Sequence, residues 1–167
     1  HRSGKNNWTV IRPYITYSEI RLQLGVLEKE LWLYRALNGR TIVFSKDIAE
    51  KSTTLTYGYD VALGIASIIG KETAFGEAFH ITSDESYTWK EILEIYLDTI
   101  EKKTGMRPKV LLLDKSPHLE WIGAKWQVIL DRYYNRRFDN SKIQQYIDTS
   151  QFVRTESGLI SCLESFL

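Results

Sequence analysis

The stretch Trp8-Thr-Val-Ile-Arg-Pro-Tyr-Ile-Thr-Tyr-Ser18 decides how the rest of the chain is interpreted. Its first part is aromatic and β-branched, and Val10 and Ile11 are adjacent, which predicts a short strand that is buried on both faces. Pro13 has no N–H to give to a neighbouring strand, so the strand should end there. Residues 14–18 are then predicted to form a loop at the carboxyl end of the strand, where open α/β sheets bind their ligands.

The composition describes an ordinary globular chain. Its 167 residues fit one domain, and 43% of them are hydrophobic and 26% charged. A net charge of +1 gives no electrostatic case for binding nucleic acid or an anionic membrane. No apolar run approaches the roughly 20 residues that cross a bilayer. The single cysteine, Cys162, is expected to be inert packing in a reducing, cytoplasmic compartment.

From the start of the sequence, we expect it to be a piece of a longer protein. It begins at His1, and its only methionine is Met106. A natural full-length product would begin with methionine, so we expect further residues upstream of this stretch.

Apolar spacing predicts helices that alternate with short strands, which is typical of an α/β fold. Asp60 is expected to cap its helix rather than to act in catalysis, and Thr88 and Glu91 form a capping box. The sheet is thin for so many helices, so strands are expected to be missing upstream of Trp8. Helices are predicted over 21–38, 60–69, 88–103, 117–130, 141–146 and 156–166, strands over 8–12, 41–44, 54–57, 78–82 and 109–113, and an exposed loop over 45–53.

No local motif for catalysis is present. The three histidines are far apart and have no partners at the spacing of metal ligands, so no metal site is predicted. The sequence also lacks GxGxxG, GxxxxGK[ST] and GxSxG. Arg132, Arg136 and Arg137 form a basic cluster. Two interpretations of it stay open: a solvated helix end, or a contact with an anion such as a diphosphate.

Six segments, in order, resemble the extended short-chain dehydrogenase/reductases, which are the NAD-dependent sugar epimerases and dehydratases. The first runs from Ser3 through Pro13 to Tyr17 and resembles SG…TIxRPxxxYG. Segments 35–42, 55–62, 76–91, 139–143 and 156–159 resemble, in that order, RALxGxPI, FVHVDDVA, GExYNI…xTWxE, DxSKxxxxLG and EEGLxxTLxWF. They are spread in this order across nearly the whole chain, and they correspond to the carboxyl-terminal half of such an enzyme.

The resemblance implies the C-terminal part of a Rossmann-like sheet plus the small substrate-binding lobe, as one unit over residues 1–167. It implies NAD or NADP as the cofactor of the full-length protein and a nucleotide sugar as its substrate, with isomerase or oxidoreductase chemistry. The Gly-rich turn and the Tyr-xxx-Lys pair of the family are absent from this sequence. No catalytic residue is therefore expected here, and the fragment alone is not expected to bind the cofactor tightly.

The resemblance also predicts which residues line the site. Pro13 and Tyr14 are expected beside the nicotinamide of the cofactor. The substrate side is expected to face the sugar, its diphosphate and the nucleotide base. The residues predicted to contact the substrate are Tyr17, Arg21, Val43 and Phe44 from the resemblance, and Arg136 from the basic cluster.

Departures from the family pattern leave a second function open. Tyr17 is followed by Ser-Glu where the family usually has Gly-Pro, and the arginine that often grips the substrate diphosphate falls near Ser52 or Thr53. The chain is therefore either the substrate-binding half of an NAD(P)-dependent enzyme or a noncatalytic binding or regulatory module of the same fold. Its expected partners are a nucleotide-sugar-like small molecule and either a second copy or the missing amino-terminal half.

Overall fold

The computed structural model describes residue 4 and residues 6–120 and 122–167. Short strands alternate with helices along these residues. The strands are β1 (Thr9–Arg12), β2 (Ile15–Tyr17), β3 (Gln23–Leu24), β4 (Leu27–Glu28), β5 (Ile42–Ser45), β6 (Ser52–Thr53), β7 (Leu55–Tyr57), β8 (Glu77–His80), β9 (Tyr87–Thr88) and β10 (Val110–Leu113). The α-helices are α1 (Lys29–Leu37), α2 (Lys46–Ala49), α3 (Gly58–Ile68), α4 (Trp89–Thr104), α5 (Ile122–Gln127) and α6 (Thr155–Glu164). Single turns of 3₁₀-helix lie at Glu72–Ala74, Pro117–Glu120, Ile143–Gln145 and Thr149–Gln151, and a π-helical turn lies at Val128–Arg132.

The strands pair two by two. β1 with β8, β2 with β7, and β5 with β10 are parallel pairs, whereas β3 with β4 and β6 with β9 are antiparallel. Parallel pairing requires crossover connections, which the intervening helices supply. The predicted α/β class with part of a Rossmann-like sheet is thus confirmed.

Two clusters of buried apolar side chains hold these layers together. In the larger cluster, Trp32 of α1 stacks on Tyr96 of α4 with ring centroids 4.4 Å apart. The hydroxyl of Tyr96 also donates to the backbone oxygen of Gln23 at 3.2 Å. The smaller cluster lies under α3 and includes Phe79 and Ile81. Stacked aromatic rings contribute roughly 0.5–1.5 kcal/mol beyond the area that they bury.

The start and end of α4 are as the sequence predicts. The Thr88 hydroxyl accepts from the N–H of Glu91, and the Glu91 carboxylate accepts from the N–H of Thr88, so the capping box is confirmed. Gly105 ends the helix with φ of 74°. The strand prediction over 109–113 and the final helix over 156–166 are confirmed as β10 and α6, within one or two residues.

The strand at the start of the chain is less buried than predicted. β1 forms and pairs in parallel, but Val10 is 39% exposed and Ile11 is only partly buried, so burial of both faces was wrong for this chain. The predicted loop over 14–18 was also wrong, because β2 pairs there with β7. The chain thus leaves one strand pair at Pro13 and enters another at Ile15.

The predicted helix over 21–38 begins eight residues late, at Lys29. The residues before it form the β3–β4 hairpin, whose turn needs a left-handed residue at Gly25 with φ of 61°. A Cβ at Gly25 would lie 2.8 Å from Cε2 of Phe44, so only glycine fits between the hairpin and β5. The leucines at helical spacing before Lys29 therefore belong to strands whose burial depends on tertiary contacts.

The predicted exposed loop over 45–53 was wrong. It contains α2 and β6, and Ile48 and Ala49 of α2 are buried in the larger core cluster. The apolar pair is too short to show a helical period in sequence, which is why the polar residues around it dominate the prediction. The predicted helix over 141–146 is reduced to the 3₁₀ turn Ile143–Gln145.

Candidate functional site

A cluster of charged and aromatic side chains lies just beyond the carboxyl end of β1. The Tyr14 hydroxyl is 2.8 Å from each carboxylate oxygen of Asp131. Arg136 donates from Nε to Oδ1 of Asp131 at 2.8 Å, and Arg132 donates from Nη1 to Oδ2. The ring of Phe138 packs on Tyr14 with centroids 4.8 Å apart. Two guanidinium groups thus share one carboxylate, which leaves the cluster positively charged and suited to an anion.

Arg132 is the buried member of this cluster. It is 3% exposed, donates from Nε to the backbone oxygen of Gly25 at 2.9 Å, and lies over the ring of Trp89. Burial lowers the pKa of the Arg132 guanidinium below its ordinary value, and Tyr14 opposes that shift. An arginine stays charged even so, because its ordinary pKa lies far above neutral pH. Arg136 differs, because its side chain is 34% exposed and faces solvent in part.

A second feature is a cavity of about 300 Å³ beside Val43 in β5. Its walls come from β4, α1 and the 3₁₀ turn that begins at Pro117, and they are mostly apolar. Arg35 lies in the wall and is held by a bond from its Nε to the backbone oxygen of Thr41 at 2.7 Å. Burial lowers the pKa of the His118 imidazole, which favours its neutral form. The lining residues are Leu27, Leu31, Arg35, Val43, Pro117 and His118.

The residues that are predicted to contact the substrate differ in how accessible their side chains are to a ligand. Val43 lines the cavity, and Arg136 joins Tyr14 through Asp131. Tyr17 and Phe44 are 2% and 1% exposed, so their side chains are packed inside this chain. Arg21 is exposed, but it forms an ion pair with Glu28 at 2.9 Å. The proposed ligand roles of these residues stay predictions.

The two predicted cofactor residues lie together at the end of β1. Pro13 is exposed and Tyr14 is half-buried. Pro13 has no backbone N–H, and the Tyr14 hydroxyl already donates to Asp131. The predicted place of these two residues beside a nicotinamide stays a prediction.

Sequence reasoning missed the two residues that organise the cluster. Asp131 received no role, and Arg132 was treated as one of three equivalent arginines. The available signal was an acidic residue directly before a run of arginines and tyrosines, and the π-helical turn at Val128–Arg132 now marks the same place. Such turns occur frequently at functional sites.

Asp60 does not cap α3 as predicted. The residue before α3 makes no side-chain cap, and the Asp60 carboxylate accepts instead from the backbone N–H of Val153 at 2.8 Å. Asp60 is 3% exposed, and burial raises the pKa of its carboxyl group. The Asp60 carboxylate therefore links α3 to the carboxyl-terminal segment of the chain that contains Val153.

Replacing Asp60 with asparagine should leave stability unchanged or slightly raised at pH 7, because an amide oxygen still accepts from Val153 and no charge is buried. Asp60→Leu should cost about 1–3 kcal/mol, since it leaves that N–H unpaired. Because the pKa of Asp60 is raised by folding, its charge costs stability as pH rises above the ordinary pKa. Urea unfolding at pH 7 and pH 3 measures the free energy of unfolding of Asp60→Asn and of the unaltered protein. Any extra stability of the variant at pH 7 should vanish at pH 3, where Asp60 is protonated. A variant whose extra stability is larger at pH 3 would contradict the prediction.

No metal centre is found in the part of the chain that the structure describes. Over these residues, no three side chains of His, Cys, Asp or Glu come together as an ion would need. Over the same ranges, no helix has both the length and the apolar character to cross a bilayer. Burial raises the pKa of the Cys162 thiol to about 11, so it stays protonated and packs as an apolar group.

The comparisons with known proteins agree with the fold. No family model matches the sequence, and no curated protein matches it either. Solved structures do match. One is a UDP-glucuronic acid 4-epimerase from Bacillus cereus in complex with UDP-glucuronic acid and NAD, with a TM-score of 0.64 at 18% identity over 95% of this chain and 46% of that chain.

Two further structures give the same picture. A dTDP-glucose 4,6-dehydratase from Streptomyces venezuelae with NAD bound has a TM-score of 0.68 at 17% identity, over 96% of this chain and 44% of that chain. A UDP-glucose 4-epimerase from Thermotoga maritima with UDP-glucose has a TM-score of 0.64 at 18% identity, over 95% and 45%. The chain therefore has the fold of NAD-dependent epimerases and dehydratases over less than half of their length, in agreement with the sequence resemblance to their carboxyl-terminal half.

Proposed function

We propose that this chain is the substrate-binding portion of an NAD(P)-dependent nucleotide-sugar epimerase or dehydratase. The cavity beside Val43 carries the proposal, because it lies against β5, the strand that the family resemblance assigns to the nucleotide base. Its volume of about 300 Å³ is at the lower end of the range for small-molecule sites. The fold alone would not suffice, since one fold serves many functions.

The basic cluster at the end of β1 supports an anionic ligand. Arg136 is partly exposed, and Asp131 fixes the orientation of its guanidinium. A guanidinium held in this way binds a diphosphate with little loss of conformational freedom. In this proposal Val43 contacts the base, Arg136 contacts the diphosphate, and Pro13 with Tyr14 forms one wall of the cofactor site.

NAD or NADP would supply hydride transfer in the full-length enzyme when it is bound. This chain would position the substrate and exclude water, and the general acid and base would come from the amino-terminal half. Matching structures bind NAD and nucleotide sugars as complete chains. A reducing, cytoplasmic location suits the single cysteine.

A noncatalytic binding module remains the second candidate, and one observation favours it. Tyr17 and Phe44 are buried and Arg21 is paired with Glu28, so three of the five predicted substrate contacts are occupied within the chain. A noncatalytic module with the same fold would not need these three side chains to be available to a substrate.

Calorimetric titration of the full-length protein with a UDP-sugar tests the proposal. Arg136→Ala should weaken binding by about tenfold to a hundredfold, because a hydrogen bond to a charged group is worth about 1.5–3 kcal/mol. Arg137→Ala removes an exposed neighbouring charge and should leave affinity within about twofold. The 167-residue chain alone should show no micromolar affinity for NAD.

Three results would each contradict one part of the proposal. Equal affinities for the two arginine variants would remove Arg136 from the site. Micromolar NAD binding by the isolated chain would show that the cofactor site is complete here. Tight binding of the nucleotide sugar without turnover in the full-length protein would establish the noncatalytic module instead.

A further inference from the structure

Asp47 connects two parts of the proposed nucleotide-sugar site. It lies in α2, directly after β5, and its Oδ2 accepts two hydrogen bonds of 2.9 Å. One comes from the backbone N–H of Ser116 and the other from the hydroxyl of Tyr133. These donors lie 69 and 86 residues further along the chain. One carboxylate oxygen therefore joins three segments that are distant in the sequence.

The bond from Ser116 fixes one wall of the cavity beside Val43. Ser116 is buried, and its Oγ lies 3.2 Å from Nδ1 of His118, which lines that cavity. The backbone N–H of His118 also donates to the same Oγ at 3.3 Å. Asp47 therefore holds Ser116 in place, and Ser116 in turn holds the His118 side chain in the cavity wall.

The bond from Tyr133 fixes the π-helical turn that carries the basic cluster. Tyr133 directly follows Arg132, and Asp131 orients the partly exposed guanidinium of Arg136. Burial raises the pKa of Tyr133 to about 12, and the bond to Asp47 adds to this shift, so the hydroxyl stays protonated at pH 7 and donates. Asp47 thus also supports the side of the proposed site that binds the diphosphate.

Asp47 belongs to a rigid part of the core. The next two residues, Ile48 and Ala49, are buried in the larger core cluster. The other oxygen of the Asp47 carboxylate, Oδ1, is buried and has no hydrogen-bond partner among the described residues. A neighbouring ion pair joins Lys46 of α2 to Asp114 at 2.8 Å, but both side chains are largely exposed, so it contributes little. Of these two links between α2 and the segment after β10, the one through Asp47 is therefore the stronger.

We propose that Asp47 is a positioning residue for the nucleotide sugar, whose Oδ2 sets the distance between the cavity beside Val43 and the guanidinium of Arg136. This rests on the proposed function, which assigns the base to the cavity and the diphosphate to Arg136. A nucleotide sugar contacts both places at once, so its affinity depends on their separation. In enzymes, a misplacement of about 1 Å caused by a distant mutation can cost about a hundredfold in rate.

Tyr133→Phe in the full-length protein tests the link to Arg136. It removes one hydrogen bond to Asp47 and keeps the ring, so calorimetric titration should show an affinity for UDP-glucose that is about fivefold or more weaker. The same change made in an Arg136→Ala background should weaken binding by less than about twofold further, because the group that Tyr133 positions is gone. Tyr146→Phe is the matched control: it removes a hydroxyl that donates to Thr73 at 2.9 Å, and it should change the affinity by less than about twofold in both backgrounds.

Two changes at Asp47 test the link to the cavity. Asp47→Ala removes both bonds and should weaken binding by about tenfold or more. Part of this loss should persist in the Arg136→Ala background, because the His118 wall is released as well. Asp47→Asn keeps an oxygen that can accept from both donors, so its affinity should lie within about threefold of that of the unaltered protein. Melting curves of every variant set a titration temperature at which all of them are folded.

Unchanged affinity for Tyr133→Phe or for Asp47→Ala would overturn the proposal. An equal loss for Tyr133→Phe in both backgrounds would also overturn it, since Tyr133 would then not act through Arg136. Asp47→Asn as weak as Asp47→Ala would overturn it too, because the charge and not the two bonds would matter. These results leave the proposed function intact. A full-length protein that binds no UDP-glucose would instead overturn the proposed function, and this proposal with it.

Discussion

Replacing Gly158 with alanine should lower the melting temperature of the protein by roughly 2–12 °C, although alanine is normally the better helix former. Gly158 lies in α6, directly over the side chain of Tyr17. A Cβ added there would lie 2.1 Å from the Tyr17 hydroxyl oxygen and 2.9 Å from Cζ. Tyr17 is 2% exposed and cannot move away into solvent. Overpacking of this kind typically costs about 1–3 kcal/mol or more.

The Tyr17 hydroxyl offers a way to test the cause. It is buried and lacks a hydrogen-bond partner among the described residues. Burial also raises the pKa of Tyr17 well above its ordinary value, so the hydroxyl stays neutral. Tyr17→Phe should therefore be neutral or slightly stabilising, because it removes an unsatisfied polar group. Combined with Gly158→Ala it should recover part of the loss, because the oxygen that is closest to the new methyl group is gone.

Gly123→Ala is the matched control for this pair. Gly123 lies in α5, and a Cβ there meets no atom within 4 Å. The change should raise the stability by about 0.5–1 kcal/mol, which is the usual helix preference. Differential scanning calorimetry of the four variants measures all of these effects. A Gly158→Ala variant as stable as the Gly123→Ala variant would show that α6 does not rest on Tyr17.

The elements that sequence predicts correctly depend on local chemistry. The capping box at Thr88 and Glu91 and the left-handed stop at Gly105 lie within one helix, so their physics is present in the sequence itself. Helix propensity and capping act over a few residues, so the local sequence determines where α4 begins and ends.

The incorrect predictions concern residues whose secondary structure depends on contacts with residues that are distant in the sequence. The β3–β4 hairpin replaces the predicted start of a helix because Arg132, 107 residues downstream, donates to the backbone oxygen of Gly25. Tyr96 fixes Gln23 from 73 residues away. Tertiary contacts of this kind override a helical spacing of leucines.

The candidate site shows the same division. The family resemblance led to Tyr14 and the basic residues to Arg136, but neither indicated that one carboxylate joins them. Asp131 lies 117 residues after Tyr14, and a single sequence carries no signal for that pairing. Likewise, the resemblance named Phe44 as a base contact from its place on a strand, and only the fold shows that the side chain points into the core.

Arg132→Met should cost about 3–5 kcal/mol of unfolding free energy, which is the usual effect of breaking a buried ion pair. It should also weaken nucleotide binding. Arg132 holds the β3–β4 hairpin by its bonds to the Gly25 oxygen at 2.9 Å and to Oε1 of Gln23 at 3.3 Å. Met fills much of the same volume, but it donates no hydrogen bond and leaves the Asp131 carboxylate without its buried partner.

The effect should reach the cavity because the hairpin forms part of its wall. Leu27 in β4 lines the cavity beside Val43, two residues after the Gly25 turn that Arg132 fixes. Arg132→Lys should not restore the wild type, since one ammonium cannot replace a planar fork that bonds several acceptors at once. Arg137→Met, at an exposed position, is the control and should change neither property.

Urea unfolding gives the stability of each variant, and calorimetric titration with a UDP-sugar at a temperature where all variants are folded gives the affinity. If Arg132→Met loses stability but binds the nucleotide sugar as the wild type does, the hairpin does not shape the cavity and the site must lie elsewhere. If it keeps wild-type stability, the buried cluster does not join the hairpin to the π-helical turn. Loss of both properties, with the Arg137 control unchanged, is the result expected when one buried guanidinium sets the position of Arg136 through Asp131 and of Leu27 through the hairpin.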